Sequence, residues 1–295
     1  MTWVRLSAGL LLLAVCLRTA PVDAQAQRRA IYASALDQNG APVANLGPPD
    51  FVVREDKIAR EVLAVEPAVD PMQVVLLVDN SQAAEPFIRD IREGLTSFIS
   101  ALAADESAVK HQVSIVTLAE RPTINTEYTF DLGLAIKGAQ RIFATPGSGT
   151  YLLDGIIETS RGIARRSFAR PVVIAITTEG PELSDRQYMT ALEPLRAAGA
   201  AFHVLIIGLP RNTSHDRSLV LDMGTRATGG RYDTLLTSNG LPTRMRQMAA
   251  ELTHQYRVTY GRPESLIPPE QVTIAAAKPG LSVRGTPVKT QQERP

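Results

Sequence analysis

At 295 residues with a formal net charge of +1, the chain lacks the basic excess that marks a nucleic-acid binder. Its one cysteine rules out a disulfide framework within the chain. Beyond the N-terminal segment no run reaches about eighteen consecutive apolar residues, so no transmembrane helix is expected.

Residues 1–24 read as a cleavable secretory signal. Arg5 supplies a positive start, Ala8 to Leu17 an apolar run too short to span a bilayer, and Val22-Asp23-Ala24 small residues before a polar stretch. Leu13-Ala14-Val15-Cys16 partly resembles a lipobox, but Val15 is larger than the residue usual before a lipidated cysteine. Cleavage after Ala24 leaves a mature chain with no cysteine, which excludes thiol catalysis and zinc-thiolate sites. It also removes Arg5, Arg18 and Asp23, taking the net charge from +1 to 0. A periplasmic or secreted location follows.

Residues 25–70 carry short strand patterns. Ala30–Leu36 is followed by the turn Asp37-Gln38-Asn39-Gly40, and Asp50–Arg54 follows later. Between residues 71 and 255 the pattern changes to apolar β runs alternating with helical periods. Gln73–Val78, Gln112–Leu118, Pro171–Ile176 and Phe202–Ile207 are nearly continuous in apolar residues, as strands buried on both faces are. Helices are expected after Pro86 (Ile88, Ile91, Leu95, Phe98, Ile99 and Leu102 on one face), over Leu152–Ile163, over Asp185–Ala198 ending at Gly199, over Leu219–Ala227 ending at Gly229, and from Pro242. Arg121 to Asp131 reads as a loop or hairpin edge. The alternation implies an α/β fold with a doubly wound, mostly parallel sheet. Gln255–Tyr260, Gln271–Ala275 and Leu281–Arg284 return to short strands over residues 256–288, and 289–295 is a polar tail expected to be disordered. The five flanking strands are too few for two cores, so they are expected to pair into one small β-subdomain carrying the α/β domain as an insertion.

Sites on doubly wound sheets lie at the carboxyl ends of the strands. There the sequence has Asp79-Asn80-Ser81-Gln82-Ala83 after the first long strand, Thr150 at the end of Thr145-Pro-Gly-Ser-Gly-Thr150 before a helix, and Thr178-Glu179-Gly180 after a later strand. This resembles a von Willebrand factor A domain, whose metal-ion-dependent adhesion site uses an Asp-x-Ser-x-Ser loop, a Thr and a Thr-Asp-Gly turn. Thr228-Gly229-Gly230-Arg231-Tyr232 resembles a late turn of such domains. Asp37-Gln38-Asn39-Gly40 and Asp50-Phe51-Val52-Val53-Arg54-Glu55-Asp56 resemble the flank of a bacterial exported subgroup of von Willebrand factor A-related proteins.

The resemblance implies that Asp79, Ser81, Thr150 and Glu179 gather around Mg2+ or another divalent cation, with a coordination position open to a partner's acidic side chain. Two departures weaken that set. Ala83 replaces a hydroxyl ligand, and Glu179 adds a methylene that displaces the carboxylate. Two readings therefore stand together: a degenerate divalent-ion site, and a metal-free loop in which Asp79 and Ser81 merely cap the following turn.

The remaining signals are weaker. His111, His203, His215 and His254 lack metal-ligand spacing, and His203 reads as a satisfied core residue. Gly147-Ser148-Gly149-Thr150 lacks the Lys of a phosphate loop, and no G-x-S-x-G elbow supports a hydrolase nucleophile at Ser81. Arg161, Arg165, Arg166 and Arg170 read as a solvated cluster at a helix end, with an acidic partner surface as the sharper alternative. Asn212-Thr213-Ser214 matches a glycosylation sequon. The function expected is protein–protein interaction or adhesion rather than catalysis. A hydrolase using the same crevice and a structural envelope component with a decayed site are the alternatives.

Overall fold

The computed structural model describes residues 26–104, 109–166, 168–209, 214–263 and 267–289. The signal segment, most of the sequon and most of the polar tail lie outside the described residues.

The strands and helices follow in chain order as β1 (Ala26–Leu36), β2 (Phe51–Glu55), β3 (Ile58–Arg60), β4 (Val62–Pro67), β5 (Met72–Val78), α1 (Ile88–Ala103), β6 (Gln112–Thr117), β7 (Thr123–Thr129), α2 (Leu132–Gln140), α3 (Leu152–Arg166), β8 (Arg170–Thr178), α4 (Tyr188–Ala198), β9 (Ala201–Ile207), α5 (His215–Thr228), β10 (Tyr232–Leu235), α6 (Leu241–Thr253), β11 (Tyr256–Pro263), β12 (Val272–Ala276) and β13 (Ser282–Pro287). Short 3-10 turns occur at Gln82–Phe87 and elsewhere.

The strands rich in Val, Leu and Ile become the middle of a six-stranded sheet ordered β10-β9-β8-β5-β6-β7. Every residue of β5, β8 and β9 is buried, because helices cover both faces. On one face Ile91, Leu95 and Phe98 of α1 pack with Leu241, Met245 and Leu252 of α6. On the other, Leu153, Ile156 and Ile163 of α3 pack with Leu195 of α4 and Leu221 of α5. The stretch at Thr123–Thr129 is the one antiparallel strand of this sheet, pairing β6 at its edge. The class is thus α/β, with a mostly parallel doubly wound sheet. Helices α4 and α5 end on Gly199 (φ 64°) and Gly229 (φ 71°), where a left-handed residue closes the last turn.

Four elements escaped the sequence reading: the flank strands β3 and β4, helix α2 and strand β10. Helix α2 has two glycines in nine residues and depends on Asp131, whose side chain accepts from Leu134 N at 3.0 Å. Strand β10 has only four residues and takes its register from β9.

The flanks form two sheets. One is ordered β13-β1-β11-β4 and the other β12-β2-β3. Strand β1 pairs with both β11 and β13, so N- and C-terminal segments share a ladder. Ile31, Ala33, Val258 and Tyr260 from the first sheet meet Phe51 and Val53 from the second in one core. The flank motif has a chemical account. Asp37 Oδ1 accepts from Asn39 N and Ala41 N, both at 2.8 Å, closing its turn. Glu55 is buried and accepts from Tyr260 Oη at 2.9 Å and Arg60 Nε at 3.0 Å. Asp56 Oδ1 accepts from Gln271 N at 2.9 Å.

Among the described residues no helix is long and apolar enough to cross a membrane.

Candidate binding site at the strand ends

Strand β5 lies between β6, its successor on one side, and β8, reached by a long connection on the other. The loops leaving β5 and β8 therefore part company, opening a crevice at their carboxyl ends. Asp79, first after β5, is fully buried. Its Oδ1 accepts from Ser81 N at 2.9 Å, and its Oδ2 from Thr178 Oγ1 at 2.6 Å and Thr178 N at 3.0 Å. The carboxylate thus closes its own turn and locks it to β8.

Neighbouring side chains tie the loops together. Asn80 Oδ1 accepts from Leu118 N and Ala119 N at 3.1 and 2.9 Å, while its Nδ2 donates to Phe143 O at 3.1 Å. Gln82 N donates to Ser148 O at 3.3 Å, and Gln82 Oε1 accepts from Gly147 N at 2.9 Å. Thr150 N donates to Pro181 O at 2.9 Å, and Thr150 O accepts from Leu183 N at 2.8 Å. The Asp79, Thr150 and Glu179 loops are one hydrogen-bonded unit.

Within it, Ser81 Oγ and Thr150 Oγ1 are buried without hydrogen-bond partners. Ser81 does not use its hydroxyl as a cap. Only Asp79 does the capping that the metal-free reading assigned to both. Glu179 goes elsewhere: its Oε2 lies 3.5 Å from Nη1 of Arg217, which is 2 % exposed. Arg217 Nη2 also donates to Thr178 O at 2.7 Å and Thr177 Oγ1 at 3.3 Å. Glu182 completes the set. It accepts from Ser184 N at 3.0 Å, its Oε2 is buried without a hydrogen-bond partner, and burial pushes its carboxyl pKa up.

These residues do not fit an octahedral divalent ion. Two hydroxyls stand ready as ligands, but Asp79 Oδ2 already accepts from both the backbone and the hydroxyl of Thr178, and Glu179 is paired with a guanidinium. No group of three or more acidic, His or Cys residues is arranged around a metal position among the described residues.

Asn80, Thr177, Glu182 and Arg217 were missed by sequence reasoning. Glu182, three residues beyond Glu179, was within reach of a local search. Arg217 was not, since it belongs to the first turn of a helix almost forty positions after the turn it binds.

The sequence matches no protein-family model and no curated relative. Solved structures with the same architecture include a variant of the PilB minor pilin from Streptococcus sanguinis, at 10% identity and a TM-score of 0.50 over 63% of this chain and 62% of that one. The pilin alignment thus spans less than two thirds of that protein. A von Willebrand factor type A protein from Catenulispora acidiphila aligns over 90% of this chain and 74% of its own, at 12% identity and a TM-score of 0.49. BatB from Bacteroides thetaiotaomicron aligns over 61% of this chain and 98% of its own, at 15% identity and a TM-score of 0.46. The central domain has the von Willebrand factor A fold. At these identities the likeness concerns the fold alone.

Away from the crevice of this A-type domain, two expectations need correction. Arg170 is not part of a solvated cluster: it is 3 % exposed, whereas Arg161, Arg165 and Arg166 are exposed. Its position at the start of β8 carries it under the β-subdomain. His203 is buried in β9, but neither ring nitrogen has a hydrogen-bond partner. Burial lowers its pKa to about 4, with Glu251 opposing that shift and Arg284 and Arg244 adding to it.

His203 therefore carries a pH prediction. The neutral ring is tolerated above the unfolded pKa of about 6.5, and its contribution is fully present there. As pH falls from 6.5 to 4 the unfolded chain binds a proton that the folded chain refuses, and about 3 kcal/mol of stability is lost. Urea denaturation of the wild type and His203→Leu at pH 7.5 and 4.5 should show a smaller acid loss in the variant. Equal losses would remove His203 from the acid response.

Proposed function

We propose that this chain is an exported interaction module that holds a protein partner on the carboxyl-edge loops of its A-type domain. The observation carrying the reading is a set of large apolar side chains held in water at that edge. Phe143 is 65% exposed ahead of α3, Leu183 48% after β8, Leu209 66% after β9 and Leu236 67% after β10. Each leaves water on burial at about 25 cal/mol per Å2, which favours a partner over solvent. The hydrogen-bonded loops beneath them reduce the ordering cost of association. Export rests on the N-terminal segment, and the adhesion-type site is a degenerate one in which Ala83 supplies no ligand.

Crosslinking in the native envelope tests the reading. Wild type should capture a protein partner that Leu183→Asp with Leu236→Asp loses by at least tenfold, at equal folded yield. Recovery unchanged by the two substitutions would place the partner elsewhere or remove it. N-terminal sequencing of the native protein should begin at Gln25. A lipid-bearing Cys16 would instead identify a lipoprotein.

A further inference from the structure

We infer that Arg217 is the resident cation of the crevice, holding Glu179 where adhesion-type sites hold a divalent ion, so that the site works metal-free. This deepens the degenerate-site reading above and rests on it.

The argument starts from charge. Asp79, Glu179 and Glu182 bring three carboxyl groups to neighbouring loops at the ends of β5 and β8. Buried carboxylates need a positive charge or strong donors nearby. Backbone and hydroxyl donors serve Asp79. Arg217 lies 3.5 Å from Glu179, and its charge also lowers the pKa of Glu182 against the burial effect. The guanidinium is held by more than this ion pair. Nη2 binds Thr178 O and Thr177 Oγ1, and Thr177 Oγ1 lies 3.5 Å from Asp79 Oδ2. One hydroxyl thus joins the cation to the principal carboxylate of the site. The helix bearing Arg217 is anchored by Ser214, whose side chain accepts from Arg217 N at 3.3 Å.

The consequence concerns ligands. A divalent ion near Ser81 Oγ and Thr150 Oγ1 needs carboxylate oxygen to offset its dehydration, magnesium especially. Glu179 is the carboxylate of the third loop, and Arg217 engages it. The guanidinium also adds a fixed positive charge that repels an incoming cation. The two buried hydroxyls remain as acceptors without a metal, and partner binding is expected to withstand chelation.

Titration with MnCl2 and MgCl2 alone tests this without reference to any partner. The wild-type protein should show no saturable binding below about 1 mM. Arg217→Gln removes the guanidinium beside Glu179 and with it one positive charge, and should bind Mn2+ at least tenfold more tightly than wild type, with a rise in Tm on Mn2+ addition. Arg217→Gln with Glu179→Gln should lose that gain, and Arg217→Lys, which keeps the charge, should not acquire it. Wild-type binding in the micromolar range would overturn the inference, whether or not any variant folds. So would a folded Arg217→Gln that binds no better than wild type. A partner that dissociates in EDTA would refute metal-free operation, whereas partner recovery unchanged by Leu183→Asp with Leu236→Asp, with these titrations as expected, would refute only the proposed partner surface.

Discussion

Gly230→Ala is expected to abolish the accumulation of folded protein. A Cβ at this position would lie 1.7 Å from the carbonyl oxygen of Phe202 and 2.4 Å from its carbonyl carbon. Both atoms belong to the backbone of β9, every residue of which is buried, so the strand cannot step aside. The turn before it is pinned from the other side as well. Thr228 Oγ1 accepts from Phe202 N at 3.0 Å, Thr286 Oγ1 donates to Thr228 O at 2.6 Å, and Gly230 N donates to Thr225 O at 2.9 Å. The cost should exceed about 4 kcal/mol, a large part of the stability of a domain of this size. Soluble yield and urea denaturation are the measurements, with Gly240→Ala as the control. The nearest atom to a Cβ at Gly240 is 3.9 Å away, so that change should stay within about 1 kcal/mol. A soluble Gly230→Ala with near wild-type stability would show that the turn can lift off β9.

Arg170→Met should destabilise the protein by about 3 to 5 kcal/mol. The guanidinium donates to Ala68 O and Asp70 O at 3.3 Å, to Leu252 O at 2.5 Å and to Gln255 Oε1 at 2.7 Å, and lies 5.1 Å from the Tyr32 ring centroid. These acceptors belong to the segment entering the α/β domain from β4, to the last turn of α6 and to the residue leaving that helix toward β11. One side chain therefore clamps both connections to the β-subdomain. Methionine fills similar volume but leaves buried acceptors unsatisfied. Urea denaturation should show a lower midpoint, and limited proteolysis should cut near residues 68–71 or 253–255 first. A midpoint within that of wild type would mean that water replaces the donors without cost.

The Gly229-Gly230 pair and Arg170 also show how differently two local signals can be read. The Thr-Gly-Gly-Arg-Tyr turn was visible in the chain, but its need for glycine comes from β9 and from Gly285 O, which a Cβ on Gly229 would approach to 1.9 Å. Arg170 sat beside three exposed arginines in the sequence and looked like one of them. Its environment is set by residues some eighty to a hundred positions away, which no local pattern reports.

What the sequence determined by itself was the part of the fold that depends on periodicity. Continuous apolar runs at Gln73–Val78, Pro171–Ile176 and Phe202–Ile207 have no low-energy place except between two helical layers, and the alternation with amphipathic helices then dictates a parallel, doubly wound sheet. The carboxyl-edge position of Asp79, Ser81, Thr150 and Glu179 follows from that topology. Tertiary structure decided everything that depends on charge at a distance. It paired Glu179 with Arg217 and brought Glu182 into the same field. It distributed the flanking strands over two sheets, and left His203 buried without a hydrogen-bond partner. Hydrophobic patterning is a property of neighbouring residues and can be read along a chain. The electrostatic balance of a buried site is a sum over elements far apart in sequence, and it exists only once the chain has folded.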